Sequence, residues 1–549
     1  RTLVCTHATF RFAVDELGVD AFDNCLIAVD EFHHVSANPD NRLGAQLTEL
    51  IARDKAHIVA MTGSYFRGDA APVLSPQDEQ KFETVTYTYY EQLHGYEHLK
   101  ALDIGYYFYS GSYLDAIMDV LDPTKKTIVH IPNVNAREST KDKIKEANEI
   151  LDALGTWEGE DPRTGFHMVR RPDGTLLKVA DLVEDDAAKR DRVIGALKDP
   201  AHRSDCDHVD IILALGMAKE GFDWIWCEHA LTVGYRSSLT EIIQIIGRAT
   251  RDAPGKATAR FTNLIAEPDA AEATVVDAIN DTLKAIAASL LMEQVLAPRF
   301  NFTPKNDGAK DGFDYGPGGY NENRNNVGFN EATGQFHFEI NGLVTPESTE
   351  AKRIVQEDIN EVITAFVQDK TAIERGMFDA ETVPEELTQL RMGKIVKDRY
   401  PDLSETDQEA VRQHAIAALN LVQKAKEIVS SADEALAKSN TALIDGVRKF
   451  AMDVRDLNID LIDSINPFHS AYSILAKSMS EGTLKQVAAT IASKRINLTY
   501  EEARQLAERA LQFKKERGRL PDITSADAWE KRMAEGIAYL ARMQAEARV

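Results

Sequence analysis

No stretch of this chain approaches the roughly 18 consecutive apolar residues of a membrane-spanning helix. Its start, Arg1-Thr2-Leu3-Val4-Cys5, lacks the basic-then-apolar order of a secretory leader. Both absences predict a soluble, cytoplasmic protein. Cysteine is scarce: Cys5, Cys25, Cys206 and Cys227 stand apart and form no C-x-x-C pair, which argues for a reducing compartment and against a zinc site. A surplus of positive charge is missing as well. With Lys+Arg at 63 and Asp+Glu at 88, the net charge of −25 excludes a uniformly basic coat, so any grip on nucleic acid has to be a local patch. Apolar side chains are not in short supply. At 44% hydrophobic and 28% charged, the composition suits a globular protein with several buried cores, and 549 residues is the length of three to four domains.

Up to about residue 265, short apolar runs alternate with longer amphipathic stretches, the rhythm of a parallel sheet flanked by helices. The spacing predicts strands at Leu26 to Val29, Ile58 to Met61, Thr127 to Ile131, Val209 to Leu215, Ala230 to Val233 and Thr258 to Ile265. A helix-like run, Thr274 to Leu296, then gives way to a Gly- and Asn-rich stretch, Asn306 to Asn330, expected to be mostly loop. Gln335 to Ile340, a turn at Asn341-Gly342 and Leu343-Val344 read as a small hairpin. Beyond it the pattern is helical. Thr345 is placed to cap a helix with Pro346 at its first position and Val355, Ile359, Val362 and Phe366 on one face. Further helices are expected from Thr406 to about Ala437, near 470 to 515, and after a cap near Ser525, the last carrying Trp529, Met533, Ile537 and Leu540.

Four polar clusters follow predicted strands or sit on a helix, where ligand-binding groups of open α/β sheets gather. Asp30-Glu31-Phe32-His33 follows the first strand; one carboxylate could hold a hydrated Mg²⁺ and the other polarise a water, or the strand simply runs into a polar loop. Thr62-Gly63-Ser64 follows the second strand, as a sensor of a neighbouring site or as a plain turn. Glu220-Gly221-Phe222-Asp223 could meet a ribose hydroxyl or a neighbouring domain, and is equally an ordinary turn. Ser238 and Glu241 form a capping-box pattern for a helix that continues through Gln244-Ile245-Ile246-Gly247-Arg248-Ala249-Thr250-Arg251. On that helix Gln244, Arg248 and Arg251 share a face, Ile242 and Ile246 point into a core, and Gly247 leaves room for a ligand. The guanidiniums suit the spread negative charge of phosphoryl transfer, or else belong to a solvated surface helix.

In this order and spacing the clusters resemble, over roughly residues 1 to 265, the motif set of superfamily 2 helicases and translocases: an Asp-Glu-x-His box, a Thr/Ser-Gly/Ala-Thr/Ser motif, a motif ending in Gly-x-Asp, and Gln-x-x-Gly-Arg-x-x-Arg. The resemblance implies an α/β fold of tandem RecA-like parallel-sheet lobes, the first incomplete, followed by a mainly α-helical C-terminal region. The lobes would take 1–100 and 101–268, a connector 269–345, and a helical accessory region 346–549. It implies that ATP is the nucleotide, that Asp30 binds Mg²⁺ and that Glu31 activates the hydrolytic water. His33 and Gln244 would link the lobes, and Thr62, Gly63 and Ser64 would couple nucleotide state to strand movement. Gly221, Asp223 and Gly247 would line the nucleotide, and Arg248 and Arg251 would act as arginine fingers. The segment Val4 to Thr9 looks like the family's strand-contacting motif, so Thr6 and His7 would contact phosphates, with Arg236 also on the nucleic acid. Phe32 in place of Ala, and Glu-Gly-Phe-Asp in place of Arg-Gly-x-Asp, shift the resemblance from DEAD-box RNA enzymes toward DEAH-type and restriction-enzyme DNA motors.

One element of the family pattern is absent. The phosphate-cradling G-x-x-x-x-G-K-[ST] occurs nowhere in the chain, and Gly255-Lys256 is followed by Ala257. In the family that loop lies many tens of residues before the Asp-Glu box, whereas 29 residues precede Asp30. The chain is therefore expected to lack an amino-terminal segment and, alone, to bind ATP poorly. Charge is locally positive around the arginine helix: His229 to Arg260 holds Arg236, Arg248, Arg251, Lys256 and Arg260 against Glu241 and Asp252. A second basic island, Lys514 to Arg519, is read either as a contact to duplex DNA or as a solvated loop. The expected partner is DNA, with a nuclease or defence-system protein as a possible companion and no membrane. Two other functions stay open: a non-hydrolysing RecA-like scaffold that binds nucleic acid or protein, and an ATP-dependent RNA helicase.

Overall fold

Short runs of β-branched and aliphatic residues, with no polar face to show to water, form strands that must be covered on both sides. The computed structural model describes residues 2–36, 40–62, 73–83, 85, 87–136, 138–215, 223–234, 239–267, 287, 290–291, 294, 297–305, 307–316, 318–379, 382–430, 458–469, 471, 481–482, 484–485, 488 and 498–546. It forms two compact units, Arg1–Glu267 and Pro268–Val549. Among the described residues, no helix is long and apolar enough to cross a membrane.

The first unit opens with α1 (His7–Leu17), β1 (Leu26–Val29), α2 (Arg42–Arg53) and β2 (His57–Ala60). β1 and β2 pair in parallel, Val29 opposite Ala60. Asn41 caps α2 by accepting the Gly44 amide at 2.8 Å, and the helix buries Leu43, Leu47, Leu50 and Ile51 at helical spacing. These meet Ile27, Val29, Phe32, Val35, Val73 and Leu74 in one core. α3 (Pro76–Glu79) and α4 (Tyr89–Gly95) lead to the larger sheet.

That sheet contains β3 (Ala101–Tyr109), β4 (Thr127–Ile131), β5 (Thr156–Glu160), β6 (His167–Arg170), β7 (Leu176–Asp181), β8 (Ile211–Leu215), β9 (His229–Val233) and β10 (Thr258–Ala266), in the order β3-β10-β9-β4-β8-β7-β6-β5. The neighbours from β3 to β7 in that order are parallel, while β6 and β5 add an antiparallel extension. α5 (Tyr113–Val120) and α6 (Lys143–Leu154) share a core with Val129, Leu213, Leu231 and Leu264. The alternate residues Ile128, Ile212, Ala230 and Phe261 are also buried, as the two-residue period of a strand requires. α7 (Ala187–Leu197) packs on β7, and α8 (Leu239–Ala249) packs on β9 and β10.

Sequence patterning overlooks β3 and the extension β5 to β7. Asp103 and Gly105 interrupt β3, which lies at the sheet edge, and β5 is polar and mostly exposed. β2 lies one residue earlier than its expected span, and β8 starts at Ile211. There Asp210 is occupied by Lys126 Nζ at 2.6 Å and the Lys178 amide at 2.8 Å.

In the second unit the expected hairpin is corrected. Gln335–Ile340 pairs antiparallel with the preceding Val327–Asn330 and parallel with Phe300–Pro304, whereas Leu343-Val344 forms no strand. Phe336 and Phe338 meet Phe300, Phe302 and Phe329 on one face. His337 and Glu339 point the other way and are fully buried, which gives the Asn-rich stretch before them a structural purpose. Tyr315 Oη lies 2.6 Å from His337 Nδ1, Tyr320 donates to Glu339 at 2.6 Å, and Asn326 Nδ2 donates to its other oxygen at 2.6 Å. The loop thus partners a buried imidazole and carboxylate that would otherwise be costly.

The helix expected after Pro346 begins instead at Thr349, because Ser348 supplies the cap, accepting the Ala351 amide at 3.1 Å. A π-helical segment, Ile354–Asp358, then shifts the buried face to Ile354, Val362, Ile363, Phe366 and Val367, leaving Val355 and Ile359 half-buried. Glu405–Ser430 is buried almost all round from 410 to 423, with Arg412 donating to Asp463 at 2.8 and 3.1 Å and to Glu409. Tyr500–Arg517 and Ala528–Glu546 pack through Leu506, Ala510 and Met533, with Gly536 at the closest approach. Asp527, not Ser525, accepts the first amides of that last helix. Within the second basic island Arg519 is ion-paired to Glu530. Most of the run 274–296, the helix residues beyond 430 and most of 470–497 lie outside the described residues.

His229 starts β9 buried, with Nε2 2.9 Å from Thr262 Oγ1, and burial, aided by Arg260, pulls its imidazole from 6.5 down to about 4. The unfolded chain therefore takes up a proton that the native state refuses, and stability falls as pH drops from 6.5 toward 4. His229→Gln should remove about 2 kcal/mol of the stability difference between pH 7 and pH 5. Urea denaturation at both pH values checks this; identical losses in variant and parent would refute it.

Candidate functional site

The site starts where β1 stops. Backbone bonds from the Phe32 amide to the Met61 carbonyl and from the Met61 amide to the Val29 carbonyl, both 2.9 Å, carry the parallel ladder one step past the strands. This sets Thr62 beside the Asp30-Glu31 pair. Glu31 occupies the left-handed region, φ 50° and ψ 49°, a conformation that costs a non-glycine residue about 1 kcal/mol or more. Its amide donates to Asp30 Oδ1 at 2.9 Å. The kink turns Phe32, 1% exposed, into the core while Asp30 stays at the surface. Phe32 is thus the anchor of the box. His33 lies in the short helical turn Phe32–His34 that follows.

His7 Nε2 is 2.9 Å from the Asp30 carbonyl oxygen. A carbonyl can only accept, so His7 donates and fixes the backbone that carries the first carboxylate. Thr6 caps α1, its Oγ1 accepting the Thr9 amide at 3.2 Å. Both residues expected on phosphates thus have local partners.

The second sheet brings α8 to this point. Ile242, Ile243, Ile245 and Ile246 are buried, and Gln244 Nε2 donates to Glu31 Oε2 at 3.3 Å. The amide expected to link the lobes therefore touches the carboxylate expected to activate water. Arg248 is half-buried on the last turn of α8. The expected stripe Gln244, Arg248 and Arg251 is corrected at its end: α8 stops at Ala249, so Arg251 is not on the helix. Gly247 is also accounted for differently, since a Cβ there would lie 3.3 Å from the Tyr89 hydroxyl.

Arg251 is held by two neighbours that sequence reading counted only as local charge. Lys256, 3% exposed, donates to the carbonyls of Arg251 at 2.7 Å and Ile225 at 3.1 Å, and burial pulls its ammonium down to about 8. Burial would raise the Asp252 carboxyl, yet backbone amides of Glu97, His98 and Leu99 at 2.8 to 3.1 Å hold it below the usual range. The segment around Arg251 is thereby pinned on both sides. Its guanidinium faces Asp223, Nε to Oδ1 3.7 Å, and Asp223 also takes Arg203 Nη2 at 2.9 Å. Asp223 is thus the carboxylate of an exposed Arg203–Asp223–Arg251 cluster.

Gly63, Ser64, Gly221, Arg236 and the Ser238 cap lie outside the described residues. Among the described residues Asp30 Oδ2 accepts no hydrogen bond, so the aspartate has an oxygen to offer a hard divalent cation such as Mg²⁺.

No family model matches the chain. Over 503 residues it is 47% identical to a Bacillus subtilis (strain 168) protein provisionally named ATP-dependent helicase YeeB, covering 91% of this chain and 78% of that protein. Among solved structures, similarity extends to the ATP-dependent Type ISP restriction-modification enzyme LlaBIII bound to DNA, with TM-score 0.34, 12% identity and coverage of 98% of this chain and 39% of that chain. It extends as well to Mycobacterium smegmatis helicase Lhr bound to ssDNA and AMP-PNP, with TM-score 0.31, 11% identity and coverage of 90% and 80%. The chain spans well under half the length of the restriction enzyme.

At Gly247 two effects oppose each other. Alanine within a helix is favoured by about 1 kcal/mol over glycine, while its Cβ would crowd the Tyr89 hydroxyl. Gly247→Ala should therefore stabilise the Tyr89→Phe protein by about 1 kcal/mol and the parent by clearly less. A double-mutant cycle by denaturant unfolding measures this, and a zero coupling energy would disprove the packing account.

Proposed function

The chain belongs to the same family as the Bacillus subtilis protein named ATP-dependent helicase YeeB, and from that premise we propose that it is the nucleic-acid-stimulated ATPase of a superfamily 2 DNA helicase or translocase. The observation that carries the reading is the Gln244–Glu31 hydrogen bond, which places an amide of α8, the helix packed on the larger sheet, on a carboxylate just past the end of β1. In this reading Glu31 takes the proton of the attacking water. Gln244 ties the orientation of that carboxylate to the position of α8. Asp30 would hold Mg²⁺, which when bound neutralises phosphate charge.

Arg248 and Arg251 meet the charge that spreads over the transferred phosphoryl group. Arg251 faces Asp223 in this arrangement. Exposed pairs of this kind are worth about 0 to 1 kcal/mol, so releasing the guanidinium toward a phosphate costs little. Thr62 follows β2 beside the box, and with Gly63 and Ser64 would pass nucleotide state to the strand path. Gly221 and Arg236 would serve the nucleotide and the nucleic acid. DNA is favoured over RNA by Phe32 in the box and by Glu-Gly-Phe-Asp at 220–223.

In the full-length protein Glu31→Gln should retain ATP binding and abolish turnover. Arg251→Ala should lower the DNA-stimulated ATPase rate by about 10³-fold or more, the scale of a lost arginine finger. Phosphate-release assays check both; unchanged rates in the two variants would end this assignment of the site, and a parent that hydrolyses no ATP with nucleic acid present would leave the non-hydrolysing scaffold. The substrate is tested separately. Single-stranded or duplex DNA should stimulate ATPase more than RNA of the same length, and the reverse order would make the protein an RNA helicase.

A further inference from the structure

Away from the Glu31–Gln244 contact, the segment between α7 and β8 gathers groups that the reaction does not use. Asp199 caps the short turn Pro200–His202, accepting the Ala201 amide at 3.0 Å. The residues after it bring His202, Asp205 and His208 together, one ligand atom from each lying within 4.8 Å of the others. His202 Nδ1 is 3.4 Å from Asp205 Oδ2. The two imidazoles stack with centroids 4.2 Å apart and planes 9° from parallel.

His208 is already supported from behind. Its Nε2 is 3.0 Å from the Ala196 carbonyl oxygen, and Phe166 packs edge-on against its ring at 5.2 Å. Because a carbonyl only accepts, Nε2 carries the proton and Nδ1 presents its lone pair. Metal-ligating histidines characteristically donate their second nitrogen to such a backbone carbonyl.

We propose that His202, Asp205 and His208 bind one transition-metal ion, with zinc the best match. Two imidazoles and a carboxylate are a three-ligand set suited to zinc, whereas Mg²⁺ and Ca²⁺ prefer all-oxygen surroundings. The cysteine spacing that argued against zinc remains true of the cysteines; histidines supply the donors instead. Parallel rings hold their in-plane lone pairs in separate planes, so binding turns His202 about its χ2 while His208 stays on Ala196.

The ion would close a loop that includes Arg203. That residue donates to Asp223 at 2.9 Å, and its carbonyl accepts Trp226 Nε1 at 3.2 Å. Asp223 is the carboxylate facing Arg251. Ordering the loop therefore fixes one side of the cluster from which Arg251 is released.

The test is a titration of the full-length protein with Co²⁺ and then Zn²⁺, in the absence of nucleotide and Mg²⁺. The expected result is one Co²⁺ per chain with visible ligand-field absorption that Zn²⁺ displaces. The same site should show Zn²⁺-dependent thermal stabilisation. The exposed substitution Asp205→Asn should weaken Co²⁺ binding by about 10- to 100-fold, and the combined His202→Ala, His208→Ala protein should lose it. Wild-type circular dichroism confirms that each variant is folded. Absence of saturable Co²⁺ binding in the parent, or undiminished binding in folded Asp205→Asn, would overturn the site.

Discussion

The parallel register of β1 on β2, Val29 opposite Ala60, is the constraint from which the site follows. Parallel strands end at the same edge, so the residues just beyond them, Asp30-Glu31 and Met61-Thr62, are delivered side by side without any contact of their own having to hold them. A slip of one residue would exchange the faces of the strand and send Phe32's anchor toward water. The ladder bonds from Phe32 to Met61 and from Met61 to Val29 lock the register at the point where chemistry is expected.

Beyond the ladder, strain and burial act together. Glu31 is held left-handed because Phe32 gains more from full burial than the backbone loses; a buried phenylalanine contributes on the order of 2 to 3 kcal/mol, against about 1 to 2 for the kink. The second sheet shows the same economy. Lys256 and Asp252, both with their charges directed onto backbone groups, spend no salt bridge on each other and instead define where Arg251 stands.

How much of this was legible from the residues alone differs from element to element. The Asp30-Glu31 box, the strand before it and the buried isoleucines of α8 could be read because apolar periodicity and polar punctuation are local properties. Gln244 could be singled out from the motif, but its partner Glu31, 213 residues away, could not. The arginine stripe was over-extended: helical phase counts residues but does not say that α8 ends at Ala249. Gly247 looked like ligand clearance, whereas Tyr89, distant in sequence, accounts for it. The Asn306 to Asn330 stretch looked featureless because its tyrosines and Asn326 have meaning only over His337 and Glu339. Between Asn330 and Gln335 the chain also carried a turn that patterning placed on the wrong side of the strand.

By itself, the sequence determined the order of the chemical groups and the strands and helix that directly carry them, since these depend on side-chain periodicity and on neighbours a few residues apart. Only the tertiary structure decided that Gln244 rests on Glu31, that Arg251 faces Asp223, that Lys256 and Asp252 pin its segment, and that His202, Asp205 and His208 converge. Each of those is a distance across the fold, set by strand register and by which polar groups must be partnered once buried. Local pattern carries no information about such distances until the sheets are assembled.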